Sequence, residues 1–277
     1  MNRIRTIFQM AWLDILQWRH SGRIGIIALF IIMIFNDSLE AIRNFILNVG
    51  ISISTFIYPF LMTSDRNIVF VTIAAVVMFC DAPFLTNNQI YLITRMGKKI
   101  WFASKILYII MGSIIYMLFT YTVSIVLLLP HVNLKNEWGK VLGTLCATNA
   151  SNQFEVMLGM NYNILLDYKP FEAIIIELFL GILIVSFIGI LLFVLNIYFK
   201  KEISILIVSG IVVFGMFANS LPYKAYFFSI TSWINLTINT KYNYGVLPYQ
   251  KLTFGILILL NLFLVLIAWF GIKQKEI

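Results

Sequence analysis

The chain has 277 residues, 61 % of them hydrophobic and 12 % charged, with twenty lysines and arginines against twelve acids and a formal net charge of +8. Its mean hydropathy of +0.92 and its charged fraction, about half the roughly 25 % of soluble domains, exclude an ordinary water-soluble enzyme or nucleic-acid-binding domain. The fold class this predicts is all-α, a polytopic membrane protein whose positive charge serves topology and lipid contact rather than nucleic acid.

Residues 1–21 place Ile4, Ile7, Phe8, Ala11, Trp12, Ile15, Leu16 and Trp18 on one helical repeat, with Arg3, Thr6, Asp14 and Gln17 on the other side. That is the pattern of a helix lying in the membrane interface. A cleaved signal peptide is disfavoured, because the apolar run starts only after Arg23 and no small-residue cleavage site follows it. Trp12, Trp18 and Trp101 suit the headgroup level. Uncharged stretches between Lys105 and Lys135, Glu177 and Lys200, Glu202 and Lys224, and Lys251 and Lys273 each reach the roughly 20 apolar residues a bilayer helix needs. Two shorter stretches, Ile24 to Phe35 and Asn67 to Cys80, approach that length if the first runs through Asp37 towards Ala41 and the second begins near Ser64.

Six transmembrane helices result. The apolar stretch Ile51 to Thr63, with Pro59 inside it, is read as an external interfacial or re-entrant segment. A seventh span would put a basic cluster outside, against the positive-inside bias. With six spans and both termini cytoplasmic, the inner side holds twelve of the twenty basic residues: Arg3, Arg5, Arg19, Arg23, Arg95, Lys98, Lys99, Lys105, Lys200, Lys201, Lys273 and Lys275. Cys80 and Cys146 then lie on opposite faces and cannot pair within one subunit, and no CxxC spacing exists.

The segment Phe79 to Lys105 joins two spans. Pro83 removes a backbone donor and drives Ala82 out of the α region, so the chain turns at Asp81-Ala82-Pro83. Ile90, Ile93, Met96 and Ile100 then recur at helical spacing, with Asn87, Asn88, Arg95, Lys98 and Lys99 on the polar side. A cytoplasmic helix over 84–100 is predicted, with Trp101 and Lys105 opening the next span. Outside lie residues 130–170, where Trp138, Val141, Leu142 and Leu145 form an apolar helical face suited to the membrane surface. A second outer segment, 219–250, is aromatic-rich and broken by Pro222, which suggests short re-entrant helices. The chain reads as one transmembrane domain over 1–277.

The loop, and the order of interfacial helix, six spans and re-entrant pieces before the last span, resemble the ABC-2 type membrane (permease) subunits of bacterial ATP-binding-cassette exporters, over most of the chain. The resemblance implies a multi-pass permease of the bacterial cell membrane that pairs with a second permease subunit, as a homo- or heterodimer, and with a separate ABC ATPase subunit. ATP and magnesium would be bound by that partner and no cofactor by this chain, which has no GxxxxGK[ST] phosphate loop. The coupling helix would dock the ATPase through Asn88, Tyr91, Arg95, Gly97, Lys98 and Lys99; the competing reading of Arg95, Lys98 and Lys99 is anchorage to lipid. Aromatic, methionine-rich, uncharged spans favour a hydrophobic or amphipathic cargo, an antimicrobial peptide, bacteriocin or drug, in export or self-immunity.

No catalytic residue or metal ligand set is expected. HExxH and GxSxG are absent, and His131 stands alone in its region. Glu177 is the ionisable residue nearest a span interior, read either as reaching water at the outer end or as contacting substrate on its pathway. Two other functional readings stay open: a non-transporting membrane sensor of peptides acting through the outer segments, and an intramembrane enzyme.

Overall fold

The computed structural model describes residues 3–82, 93–217, 227–239, 241 and 250–274. In chain order these form α1 (Arg3–Leu16), a 3-10 turn (Gln17–His20), α2 (Gly22–Val49), β1 (Ile53–Ser54), α3 (Tyr58–Leu61), α4 (Asp65–Phe79), α5 (Lys98–Val126), β2 (Val132–Asn133), α6 (Gly139–Ala147), α7 (Ala150–Gln153), α8 (Tyr162–Asp167), α9 (Pro170–Tyr198), α10 (Lys201–Phe217), a 3-10 helix (Ile230–Ile234) and α11 (Gln250–Gln274). Four helices, α2, α5, α9 and α11, are long and apolar enough to cross a membrane. Leu29, Met33, Leu206, Leu259 and Phe263 stay exposed on the helix surfaces, an apolar exterior that suits lipid and not water. This is an all-α membrane protein.

The long helices run between two ends, α2, α5 and α10 in one direction and α4, α9 and α11 in the other. At one, here the basal end, Arg23 at the start of α2, Asp81 after α4 and Lys201 at the start of α10 meet in ion pairs. At the other, the segments between helices build a cap. There β1 pairs in parallel with β2, Ile53 opposite Val132, and the Trp138 indole donates to the Tyr168 carbonyl at 3.1 Å. The Gly159 N–H donates to Thr63 Oγ1 at 2.9 Å, and the Asn235 amide donates to the Thr63 carbonyl at 3.1 Å. The helix ends follow local chemistry. Pro170 occupies the first turn of α9, where its missing N–H costs nothing. Gly50 closes α2 in the left-handed conformation, φ 68°, with its N–H on the Ile46 carbonyl.

Helix α9 is central: 67 % of its apolar window is buried, against 28 % for α2 and for α11. Its neighbours approach where side chains vanish, as expected where helix association in lipid rests on close packing. A Cβ on Gly189 would sit 2.6 Å from Ile109 Cγ2 and 3.0 Å from the Phe79 ring, whereas Gly210 on α10 has nothing within 4 Å. Gly189→Ala should therefore destabilise by about 1–3 kcal/mol through overpacking. Gly210→Ala should gain up to about 1 kcal/mol of helix propensity. Thermal unfolding of the two variants in detergent checks the contrast.

Several expectations change in detail. Ile51 to Thr63 forms β1 and α3 within the cap, and Ile53 and Phe56 to Met62 are buried in protein. Val141, Leu142 and Leu145 on α6 are also buried, and Trp138 stacks edge-on with Phe56 and Phe60. That apolar face is covered by the cap and not by a membrane surface, because the preceding segment supplies a complementary apolar layer. In α1, Thr6 is buried beside Met10, Ala11 and Ile15, and Asp14 turns inward to Lys105. The expected polar side is thus partly inside. A separate outward stripe, Ile4 (76 % exposed), Phe8, Trp12 and Leu16, repeats every four residues and keeps the helix amphipathic towards lipid.

Candidate functional site

The basal end concentrates the charge. Eleven described basic residues lie there, Arg3, Arg5, Arg19, Arg23, Arg95, Lys98, Lys99, Lys105, Lys200, Lys201 and Lys273, with only Asp14, Asp81 and Glu202 as described carboxylates. Two of these acids are engaged by bases. Asp14 Oδ2 accepts from Lys105 Nζ at 2.6 Å, the lysine side chain being 0 % exposed, and this buried pair fastens α1 to α5. Lys105 was read as the mouth of a span; its ammonium is instead inside, where Asp14 offsets the desolvation.

Asp81 joins Arg23 and Lys201. Arg23 also donates to Cys80 Sγ at 2.9 Å, and the Asn196 amide donates to the carbonyls of Cys80 and Ala82. Burial alone would raise the Asp81 carboxyl, but hydrogen bonds and charge from Lys201 and Arg23 outweigh it and hold it below the usual carboxylate range. With the folded value depressed, the contribution is complete above the unfolded carboxylate value near ~4 and is lost as pH falls through the folded one. The chain exit at 80–82 is thus pinned by three elements at neutral pH. Spacing in the sequence gave no sign of this, since the partners lie 58 and 120 residues away.

Beyond the exit, residues 83–92 lie outside the described residues, and with them Asn88 and Tyr91 of the predicted docking set and most of the predicted 84–100 helix. Residues 93–96 are helical and end at Gly97, which takes φ 86° and ψ 150°. This conformation is open to glycine and strained for other residues. Helix α5 starts directly at Lys98, so the predicted 84–100 helix breaks at Gly97 and its last three residues belong to α5. Trp101 is buried against Phe193, ring centroids 6.3 Å apart, and serves the core instead of the headgroup belt.

Around Gly97 opens a recess of about 620 Å³. Lys98 and Lys99 meet Arg3 of α1 and Lys273 of α11 there, over a floor of Ile7, Met96, Ile100 and Trp269, and among the described residues no carboxylate lines it. Arg95 and Lys99 are exposed. The structure therefore brings three of the six predicted docking residues, Gly97, Lys98 and Lys99, to this recess, and adds Arg3 and Lys273, expected on the same side of the membrane but not beside the loop, together with Trp269, which no sequence pattern singled out. A cationic, partly apolar recess suits an acidic, partly apolar counterpart.

Glu177 is far from this surface, in the cap half of α9, and it is 0 % exposed. The reading that it reaches water does not hold for this structure. Among the described residues, no group of three or more His, Cys, Asp or Glu could hold a metal ion. No protein-family model, curated protein or solved structure matches this chain.

The two cysteines separate as expected, Cys80 in the basal network and Cys146 on α6 of the cap. Burial pushes the Cys146 thiol up to about 12. Since the thiolate is the nucleophile, an impermeant maleimide added to intact cells should label Cys146 slowly at pH 7. The rate should rise about tenfold per pH unit while pH stays below that value. Cys80 should stay unlabelled at every pH, and mass spectrometry of the two peptides reads the difference.

Proposed function

We propose that this chain is the membrane subunit of an ATP-driven exporter of the ABC-2 type, with α2, α4, α5, α9, α10 and α11 as six spans and the basal end in the cytoplasm of a bacterial cell. The observation that carries the reading is the basic surface around Gly97, lined by no carboxylate among the described residues, where residues 96–100 meet both terminal helices. Its excess of cations agrees with the positive-inside bias. The surface would take an ABC ATPase subunit, and a second permease subunit, identical or related, would complete the transporter.

In this mechanism ATP and magnesium are held by the partner, and the chain itself catalyses no reaction. Closure of the ATPases pushes on residues 93–97. Gly97 lets that helical turn move relative to α5, while Asp81, Arg23 and Lys201 hold the chain exit fixed to α2 and α10. The push therefore reaches α5 and, through its packing, α9. The apolar helices suit a hydrophobic peptide or drug as cargo. A tagged chain solubilised in mild detergent from its native membrane should carry with it a soluble subunit that hydrolyses ATP. Recovery of the intact chain without any ATPase contradicts the proposal.

A further inference from the structure

Glu177 lies two turns into α9, and neither of its carboxylate oxygens has a hydrogen-bond partner. The same face of α9 continues at Gly181, where a Cβ would strike Met117 of α5 and approach Ile234 of the second 3-10 helix, so the acid sits where α9, α5 and the cap converge. The groups within electrostatic reach are Tyr58 of α3 and Tyr168, and both hydroxyls are engaged elsewhere. Tyr58 pairs with Thr120 at 2.9 Å, and Tyr168 donates to the Asn239 carbonyl at 3.2 Å.

Among the described residues, the other elements against α9 bring no balancing cation. On α5, the Tyr116 hydroxyl is bonded to the Val71 carbonyl. Helix α4 carries Asp65 and Arg66 at its cap end, and Arg66 is paired with Asp37. Beyond its basal first turn α10 has no titratable residue, and the 3-10 helix at 230–234 has none. Lys251 on α11 is exposed, and Lys241 is bound to Glu172 at 2.8 Å. An ionised carboxylate here would bear a desolvation penalty of several kcal/mol with no described group to offset it, so the enclosed group is the neutral acid. A buried ionisable residue in a spanning helix is costly to keep and by default marks a functional site.

We infer that Glu177 is a proton-binding site coupled to opening of the cap: it holds its proton while the cap encloses it and gives that proton to water, leaving carboxylate and hydronium, when the cap segments separate from α9. Two of the ties that join the cap segments meet at Thr63, whose hydroxyl accepts from the Gly159 N–H and whose carbonyl accepts from Asn235. The inference stands on the burial of Glu177 and is independent of the ATPase partner, so it can fail while the exporter reading stands, and the reverse.

The test uses the full chain in membranes and two carbodiimides. Each needs a protonated carboxyl: the acid proton moves to a carbodiimide nitrogen, the carboxylate oxygen adds to the central carbon, and the product rearranges to a stable N-acylurea found by mass spectrometry. Hydrophobic dicyclohexylcarbodiimide should mark Glu177, and a water-soluble carbodiimide should not. In Thr63→Ala, with the Gly159 tie removed, marking by the soluble reagent should rise several-fold. Infrared spectra give a reagent-free readout, since a protonated carboxyl C=O band should be lost in Glu177→Gln. An unchanged band in that variant would overturn the proton assignment. Soluble-reagent marking of Glu177 in the unaltered chain, or none gained in Thr63→Ala, would overturn the coupling to the cap.

Discussion

Changing Arg95, Lys98 and Lys99 together to glutamate is expected to abolish association with the proposed ATPase subunit while leaving the chain folded and in the membrane. Removing one partner of a desolvated interfacial charge pair costs about 2–5 kcal/mol. Losing two such contacts, about 4 kcal/mol at the low end, already weakens binding roughly a thousandfold. Reversed signs add repulsion to that loss. The fold should tolerate the change, because Arg95 and Lys99 are exposed and Lys98 and Lys99 open α5, where an acid suits the helix dipole better than a base by about 0.3–1 kcal/mol each. Co-purification measures the association, and membrane fractionation measures insertion. The same reversal at Lys135 and Lys140, which lie in the cap, should leave association unchanged.

The second large effect is structural. Asp14→Ala leaves the Lys105 ammonium buried without its carboxylate, and breaking a buried pair from one side costs about 3–5 kcal/mol. Because this pair ties α1 to α5, the loss should appear as a lowered melting temperature and as faster proteolysis within residues 3–16. Adding Lys105→Met to Asp14→Ala should recover most of the stability, since a hydrophobic side chain of similar volume removes the unpaired charge along with its penalty. A double variant no more stable than Asp14→Ala would mean that the lysine's charge is not what the aspartate balances.

Much of the helical layout was legible because lipid-compatible helices are uncharged stretches of fixed length, and such gaps are visible in one sequence. The extension of the first span through Asp37 was legible on length alone; its physical reason was not. Asp37 pairs with Arg66 at 3.0 Å, and next to it Ser38 bonds Asn67 at 2.9 Å, so these polar residues are satisfied by α4. At 15 residues, or about 22 Å of rise, α4 is shorter than the roughly 30 Å hydrocarbon layer, which explains why its stretch was marginal. Residues whose role depends on distant partners were misread or missed. Lys105 resembled a border lysine, because its partner Asp14 lies 91 residues earlier. Trp101 resembled a belt tryptophan until α9 covered it with Phe193. Arg95, Lys98 and Lys99 were legible as a basic cluster, whereas Arg3 and Lys273 joined Lys98 and Lys99 only through folding of the terminal helices. Glu177 was conspicuous as the ionisable residue nearest a span interior, but its full enclosure depends on the cap, whose chain path no local pattern encodes.

The central claim is that an ATPase binds the basal surface and no other. A photo-crosslinking amino acid placed at Lys99, or separately at Leu134 in the cap, which is 84 % exposed, tests it in native membranes. Illumination should join the Lys99 variant to a soluble ATP-hydrolysing subunit and should not join the Leu134 variant to it. A crosslink to such a subunit from Leu134, or none from Lys99, would contradict the account.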